Sequence, residues 1–162
     1  MKLEPLFRMR VDLGKRHVIG QTPKGTRTVW ALAGGEASGP GLQATVVPVG
    51  GEFELVDSDG CYHLDVRLVL RTHDGANIFV QYFGVAERNA ESDRLIGLGT
   101  PGDFGTQHFF TQPRFESGGD AYRWLNRVVA VGEGRMLARS VEYRVYQCIA
   151  SKSGTPGSVS PF

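Results

Sequence analysis

Between Cys61 and Thr72 the chain alternates with a period of two. Tyr62, Leu64, Val66, Leu68 and Leu70 fall on one side, and Cys61, His63, Asp65, Arg67, Val69 and Arg71 on the other. Successive side chains of a pleated strand point to opposite faces, so this pattern predicts a strand with one apolar and one mixed face. His73-Asp74-Gly75 turns the chain, and 76–83 returns with β-branched and aromatic residues on both faces, which completes a hairpin. A strand apolar on both sides is covered on both sides, by a core and by a subunit surface, and a homodimer is the expectation.

Further strands are predicted over 3–13, 27–32, 42–48, 52–56, 128–131 and 138–149, punctuated by Gly34-Gly35, Gly39-Pro40-Gly41, Gly50-Gly51 and Asp57-Ser58-Asp59-Gly60. Residues 14–25 read as a loop. Residues 86–105 are the least regular part, with a short helix over 87–98 and then a glycine-rich loop of the kind that forms lids and pocket walls. The densest aromatic content lies in 107–135. His108, Phe110 and Gln112 alternate there with Phe109 and Thr111, and Pro113 is expected to end the strand. After the turn at Ser117-Gly118-Gly119, Asp120 is placed to cap a helical turn bearing Tyr122, Trp124 and Leu125. Such an aromatic turn either plugs a barrel end or lines a pocket. Eight or more short strands without room for helical crossovers predict an all-β domain, a single antiparallel β-barrel, closed or nearly closed, over 1–150. Residues 151–162 are a small-residue tail expected to be flexible.

Composition narrows the function classes. The 162 residues suffice for one domain with a real core, and Gly 22 with Pro 8 suits short strands and tight turns. Lys+Arg 18 against Asp+Glu 17 provides no overall attraction for nucleic acid or an anionic membrane. The charged N-terminus holds no signal-peptide core, and no stretch approaches the roughly eighteen apolar residues of a membrane span. A cytoplasmic protein with two free thiols, Cys61 and Cys148, is the expectation. The histidines at 17, 63, 73 and 108 form no His-x-His or HExxH grouping, so no metal site is expected. No cofactor is expected either: there is no P-loop or G-x-S-x-G elbow, and Gly132-x-Gly134 precedes no helix.

Three ordered blocks carry a family resemblance. Phe109, Thr111, Pro113, Arg114, Phe115, Glu116 and Gly118 lead into Tyr122, Trp124, Leu125, Asn126 and Arg127, and then Val131, Gly132, Gly134 and Arg135. Leu3-Glu4-Pro5-Leu6-Phe7 and the Asp65-x-Arg67 hairpin with Leu70-Arg71-Thr72-x-Asp74-Gly75 supply the other two. Over residues 3–147 the chain resembles the uncharacterised domain of unknown function 3237. That resemblance implies a calycin-like antiparallel barrel and leaves the chemistry open.

The sharpest chemical candidate is the row His63, Asp65, Arg67, whose alternate side chains stand about 7 Å apart on one side of a strand. If that side faces the lumen, Asp65 and Arg67 form a buried pair. The guanidinium would then fix a carbonyl or phenolate while the carboxylate moves a proton. If it faces water, the row makes ordinary cross-strand pairs. Glu52 and Phe53 stand where the family resemblance implies an acid followed by tryptophan. Arg114, Trp124 and Asn126, with Phe110, are candidates for ligand contact at the barrel mouth, and Tyr82 is a candidate proton donor or a core residue. The resulting expectation is a small-molecule-binding barrel, with Asp65 and Arg67 as catalytic candidates. It would perform cofactor-independent isomerisation, cyclisation, or addition and elimination on a carbonyl-containing or aromatic ligand. A non-catalytic carrier or sensor is the alternative.

Overall fold

In the computed structural model, which describes residues 1–98 and 100–151, eight antiparallel strands follow one another around a closed barrel. They are β1 (Lys2–Thr22), β2 (Gly25–Gly39), β3 (Leu42–Val56), β4 (Cys61–Thr72), β5 (Asn77–Glu87), β6 (Phe109–Ser117), β7 (Ala130–Met136) and β8 (Ser140–Ile149). Closure comes from β1, which pairs with β2 along one edge and with β8 along the other. Helix α1 (Ala90–Gly97) lies between β5 and β6, and a 3-10 helix (Asp120–Arg127) between β6 and β7. No described helix is long and apolar enough to cross a membrane. The tail beyond 151 lies outside the described residues.

The expected hairpin at 61–83 is present as β4 and β5, paired in unbroken register from Cys61↔Glu87 to Arg71↔Asn77. Elsewhere the glycines mark something other than strand ends. Residues 14–25 belong largely to β1 and not to a loop, and the pairs Gly34-Gly35 and Gly50-Gly51 sit inside β2 and β3. Each pair coincides with a register shift, between Ala31 and Glu36 and between Val46 and Gly50. Gly35 (φ 133°) and Gly50 (φ 97°) are in the left-handed half of backbone space. A Cβ there would lie 2.0 Å from the Arg10 carbonyl oxygen and 2.1 Å from that of Arg67. These are bulges that bend long strands around a small barrel, not turns that end them.

One face of every strand fills the interior. Met9 and Val11, Leu32, Val46, Leu64 to Leu70 in alternation, Ile78, Val80, Tyr82, Phe109, Phe115, Tyr143 and Val145 are all buried. Gly132 and Gly134 of β7 stand on this inner face because neighbours occupy the space. A Cβ on Gly134 would lie 2.7 Å from the Phe109 ring, and one on Gly132 2.5 Å from Thr111 Oγ1. Phe109 in turn meets Tyr143 edge to face, with centroids 5.6 Å apart, and Tyr143 meets Tyr82 at 5.3 Å. Pro113 does not end β6 as the sequence suggests. The β6–β7 ladder stops at Thr111, so the proline falls where that edge needs no donor.

The 3-10 helix lies across one end of the barrel. Tyr122 and Leu125 are buried, Tyr122 donates to Asp74 Oδ1 in the β4–β5 turn at 3.0 Å, and Trp124 reaches the β2–β3 turn at Gly41. Asp120 does not cap it: the N-cap is Gly119, and Asp120 pairs with Arg123 at 2.9 Å. Of the two roles expected for the aromatic turn, the plug is the one realised.

Candidate functional site

The end opposite the plug is open. A cavity of about 470 Å³ enters there, walled by Leu13, Trp30, Tyr62, Leu64, Phe109 and Met136 and by the polar Arg16, Glu52, Glu54, Arg88, Gln107 and Arg139. Volumes of this order accommodate a small organic ligand. The strand registers build its floor: Trp30 pairs with Glu52, Glu52 with Val66, and Val66 with Tyr82. Directly opposite residues share a face, so this row of inward side chains places one carboxyl among aromatics.

Glu52 is only 6% exposed. Loss of hydration disfavours its charged form, and the Glu54 carboxylate adds repulsion. Together they push its pKa from the ordinary 4.5 up to about 8. Glu54, two residues on and on the same face, is also raised by burial. The Arg16 charge, a hydrogen bond from the Trp30 indole and the Arg88 charge pull it back towards the ionised form. The site therefore holds two carboxyl groups that burial pushes towards the neutral acid, and only for Glu54 do neighbouring cations and an indole N–H oppose that push. Arg16 lies over the Trp30 ring at 5.4 Å, and Arg88 over Tyr62 at 5.9 Å with a hydrogen bond to its hydroxyl at 3.3 Å. The acids, the rings and the guanidinium groups thus form one assembly at the mouth.

Beneath the floor, the hydroxyl of Tyr82 lies 3.4 Å from that of Tyr143. Both phenols are held well above their ordinary range. Burial is the main cause for each; Glu52 acts next on Tyr82, and Tyr82 and then Glu52 on Tyr143. They remain neutral and serve the core as a polar pair.

Most residues singled out from sequence lie elsewhere. His63, Asp65 and Arg67 are on the outer face of β4, opposite in sense to Leu64, Val66 and Leu68, so the expectation of a lumenal Asp65–Arg67 pair is corrected. The inner face of a closed barrel goes to the uniformly apolar side of an alternating strand, and the mixed side is left outside. Arg67 Nη1 lies 3.2 Å from Asp65 Oδ1. Its guanidinium sits 5.7 Å from the Phe53 ring centroid and donates to the Gln81 amide oxygen at 3.1 and 3.3 Å when that amide faces it. Asp65 Oδ1 is buried but accepts no hydrogen bond, so the pair is a charge contact. His63 Nε2 is bonded to Asp57 Oδ2 at 2.7 Å.

Phe53 and Phe110 are on the outer surface, 38% and 48% exposed, because their neighbours Glu52 and Phe109 take the inward positions. Arg114 pairs with Gln81 on the outside of the β5–β6 ladder. Trp124 and Asn126 belong to the plugged end. Asn126 accepts from the Ser117 N–H at 2.7 Å and donates to its carbonyl at 2.9 Å, an architectural role. Glu52 alone of the earlier ligand candidates lines the open cavity, with Tyr82 below it. The sequence reading missed Arg16, Trp30, Glu54, Tyr62, Arg88, Gln107 and Arg139. The alternation Glu52-Phe53-Glu54 was the one signal that could have revealed two carboxyls on a common face.

Similar proteins are known. A β-barrel-like protein from Acinetobacter baumannii, of known crystal structure, is 32% identical, with a TM-score of 0.76 over 90% of this chain and 94% of that one. A UPF0311 protein of Rhodopseudomonas palustris is 29% identical over 144 residues, covering 89% of this chain and 94% of its own. A hydroalkoxylation enzyme of Penicillium herquei is 26% identical over 130 residues, covering 80% of this chain and 72% of its own. With its sequence matched over residues 1–148 to the proteins of unknown function grouped as DUF3237, the chain belongs to that family.

Proposed function

We propose that this barrel is an enzyme of acid/base addition chemistry, joining a hydroxyl group to a carbon–carbon double bond of a small carbonyl-containing or aromatic molecule held at its open end. The observation that carries the reading is the Glu52 carboxyl, buried in the cavity floor with a pKa pushed up to about 8 beside Glu54, whose carboxylate Arg16, Trp30 and Arg88 favour. An acid poised near neutrality is suited to deliver a proton, and a paired carboxylate is suited to collect one. The related hydroalkoxylation enzyme supports this class of reaction.

In the proposed step, protonated Glu52 gives its proton to one carbon of the double bond. The substrate hydroxyl oxygen bonds to the other carbon, and the π bond breaks. The hydroxyl proton passes to Glu54, and transfer through water returns it to Glu52. Conjugation to a carbonyl would polarise the alkene, and Trp30, Tyr62 and Phe109 offer faces for a planar ligand. Asp65 and Arg67 have no part in it.

The test is incubation in D₂O with a panel of aromatic ketones bearing a pendant hydroxyl and an alkene. Enzymatic addition leaves one deuterium on carbon in the product. Glu52→Gln should retain binding, followed by quenching of tryptophan fluorescence, and lose turnover by at least about a hundredfold. Binding without conversion by the natural chain would favour a carrier. Undiminished turnover by Glu52→Gln would remove the acid from the mechanism.

A further inference from the structure

The β3–β4 hairpin gathers a second set of reactive side chains just outside the cavity rim. Asp57, Cys61 and His63 each contribute a ligand atom, and these atoms all lie within 4.8 Å of one another. The turn itself aims the carboxylate. Asp57 Oδ1 accepts the backbone N–H of Asp59 at 2.9 Å and of Cys61 at 3.0 Å, which leaves Oδ2 directed at His63 Nε2, 2.7 Å away. Cys61 and His63 flank Tyr62 of the cavity wall, and the Cys61 thiol donates to the Ala86 carbonyl at 3.9 Å.

We propose that this hairpin is a binding site for one divalent transition-metal cation of the zinc class, held by the Asp57 carboxylate, the Cys61 thiolate and the His63 imidazole with water completing the set. Carboxylate, imidazole and thiolate are the donors that such a cation selects. Bond lengths of about 2.0–2.3 Å set neighbouring tetrahedral ligands roughly 3.3–3.7 Å apart, so rotamer adjustments of about an ångström assemble the site on the existing backbone. The two backbone N–H groups on Oδ1 orient the carboxylate as outer partners of a metal ligand do.

Local charge points the same way: Cys61 feels the carboxylates of Asp57, Glu87 and Asp59, and a cation at this position answers three negative groups at once. The cost is modest: the Asp57–His63 pair it replaces is partly exposed, at 30% and 47%, and exposed pairs contribute little. The histidine and cysteine motifs of the sequence gave no hint of this set, because a carboxylate in a turn completes it.

Cobalt(II) titration of the full-length chain tests the site. One equivalent should give a thiolate-to-cobalt charge-transfer band that zinc(II) abolishes, with proton release that increases apparent affinity as pH rises. Cys61→Ser should eliminate the band, Cys148→Ser should keep it, and Asp57→Asn or His63→Ala should weaken binding by at least about tenfold, or 1.4 kcal/mol. Circular dichroism of each variant reports whether the fold is retained. A band that persists in Cys61→Ser, or zinc retained equally in equilibrium dialysis by the natural chain and by a variant combining Asp57→Asn, Cys61→Ser and His63→Ala, would overturn the assignment. So would the absence of any thiolate band in the natural chain.

Discussion

Replacing Glu52 by glutamine gives the most direct reading of the cavity floor, because it separates burial from charge. Below about pH 4.5 the carboxyl is neutral in both the folded and the unfolded chain. As pH rises, the unfolded chain ionises first, and the folded chain retains its proton until about pH 8. The stability contributed by burying a neutral acid is therefore complete below the unfolded pKa and is lost progressively as pH climbs through the folded one. The interval from 4.5 to about 8, at about 1.36 kcal/mol per pH unit, corresponds to roughly 5 kcal/mol. That is a ceiling, since water entering from the cavity mouth relieves part of the desolvation; a loss of about 2–4 kcal/mol is expected. Glutamine has the same shape and no titration. Urea denaturation of both proteins from about pH 5 to about pH 9 should show the natural chain losing stability relative to Glu52→Gln, with equal slopes against denaturant. In thermal melts the gap should widen by roughly 4–16 °C. Stability curves that stay parallel across that range would refute the raised pKa and, with it, the acid assigned to the proposed reaction.

Three further outcomes follow from the packing. Gly134→Ala should destabilise the fold by about 1–3 kcal/mol, because its methyl meets the Phe109 ring; chemical denaturation with Phe109→Leu as partner should show partial rescue. Asn126→Ala leaves the Ser117 N–H and carbonyl unpaired and should cost about 1–3 kcal/mol, while hydrogen exchange should rise at the plugged end and not at the open one. Asp65→Asn with Arg67→Met should leave any turnover unchanged and shift stability by less than about 1 kcal/mol; a large loss of activity in a folded double variant would return those residues to the mechanism.

The barrel was legible because its apolar residues recur with period two and its turns carry glycine and aspartate. The β4–β5 hairpin follows directly from that pattern. Strand lengths were not legible, since Gly35 and Gly50 have the same composition as a turn while serving as bulges within paired strands. Side-chain direction was the deeper gap. At β4 the inward face is the uniformly apolar one, as its alternation indicates, and the charged pair that marks the other face lies outside the barrel. At β3 the reverse holds: Glu52 and Glu54 turn inward with Gly51 between bulge and floor, a polar interior that no hydrophobic pattern announces. Arg16 and Trp30 face each other across the β1–β2 ladder, and Arg139, from the connection between β7 and β8 at the far end of the chain, joins them only because the barrel closes through β1 and β8.

The 3-10 helix across one end has a consequence for traffic. A vessel sealed at the bottom has one doorway, so under the proposed chemistry a product would back out along the route its precursor took. Arrival and departure would then compete for the same passage, which Arg88 and Gln107 border.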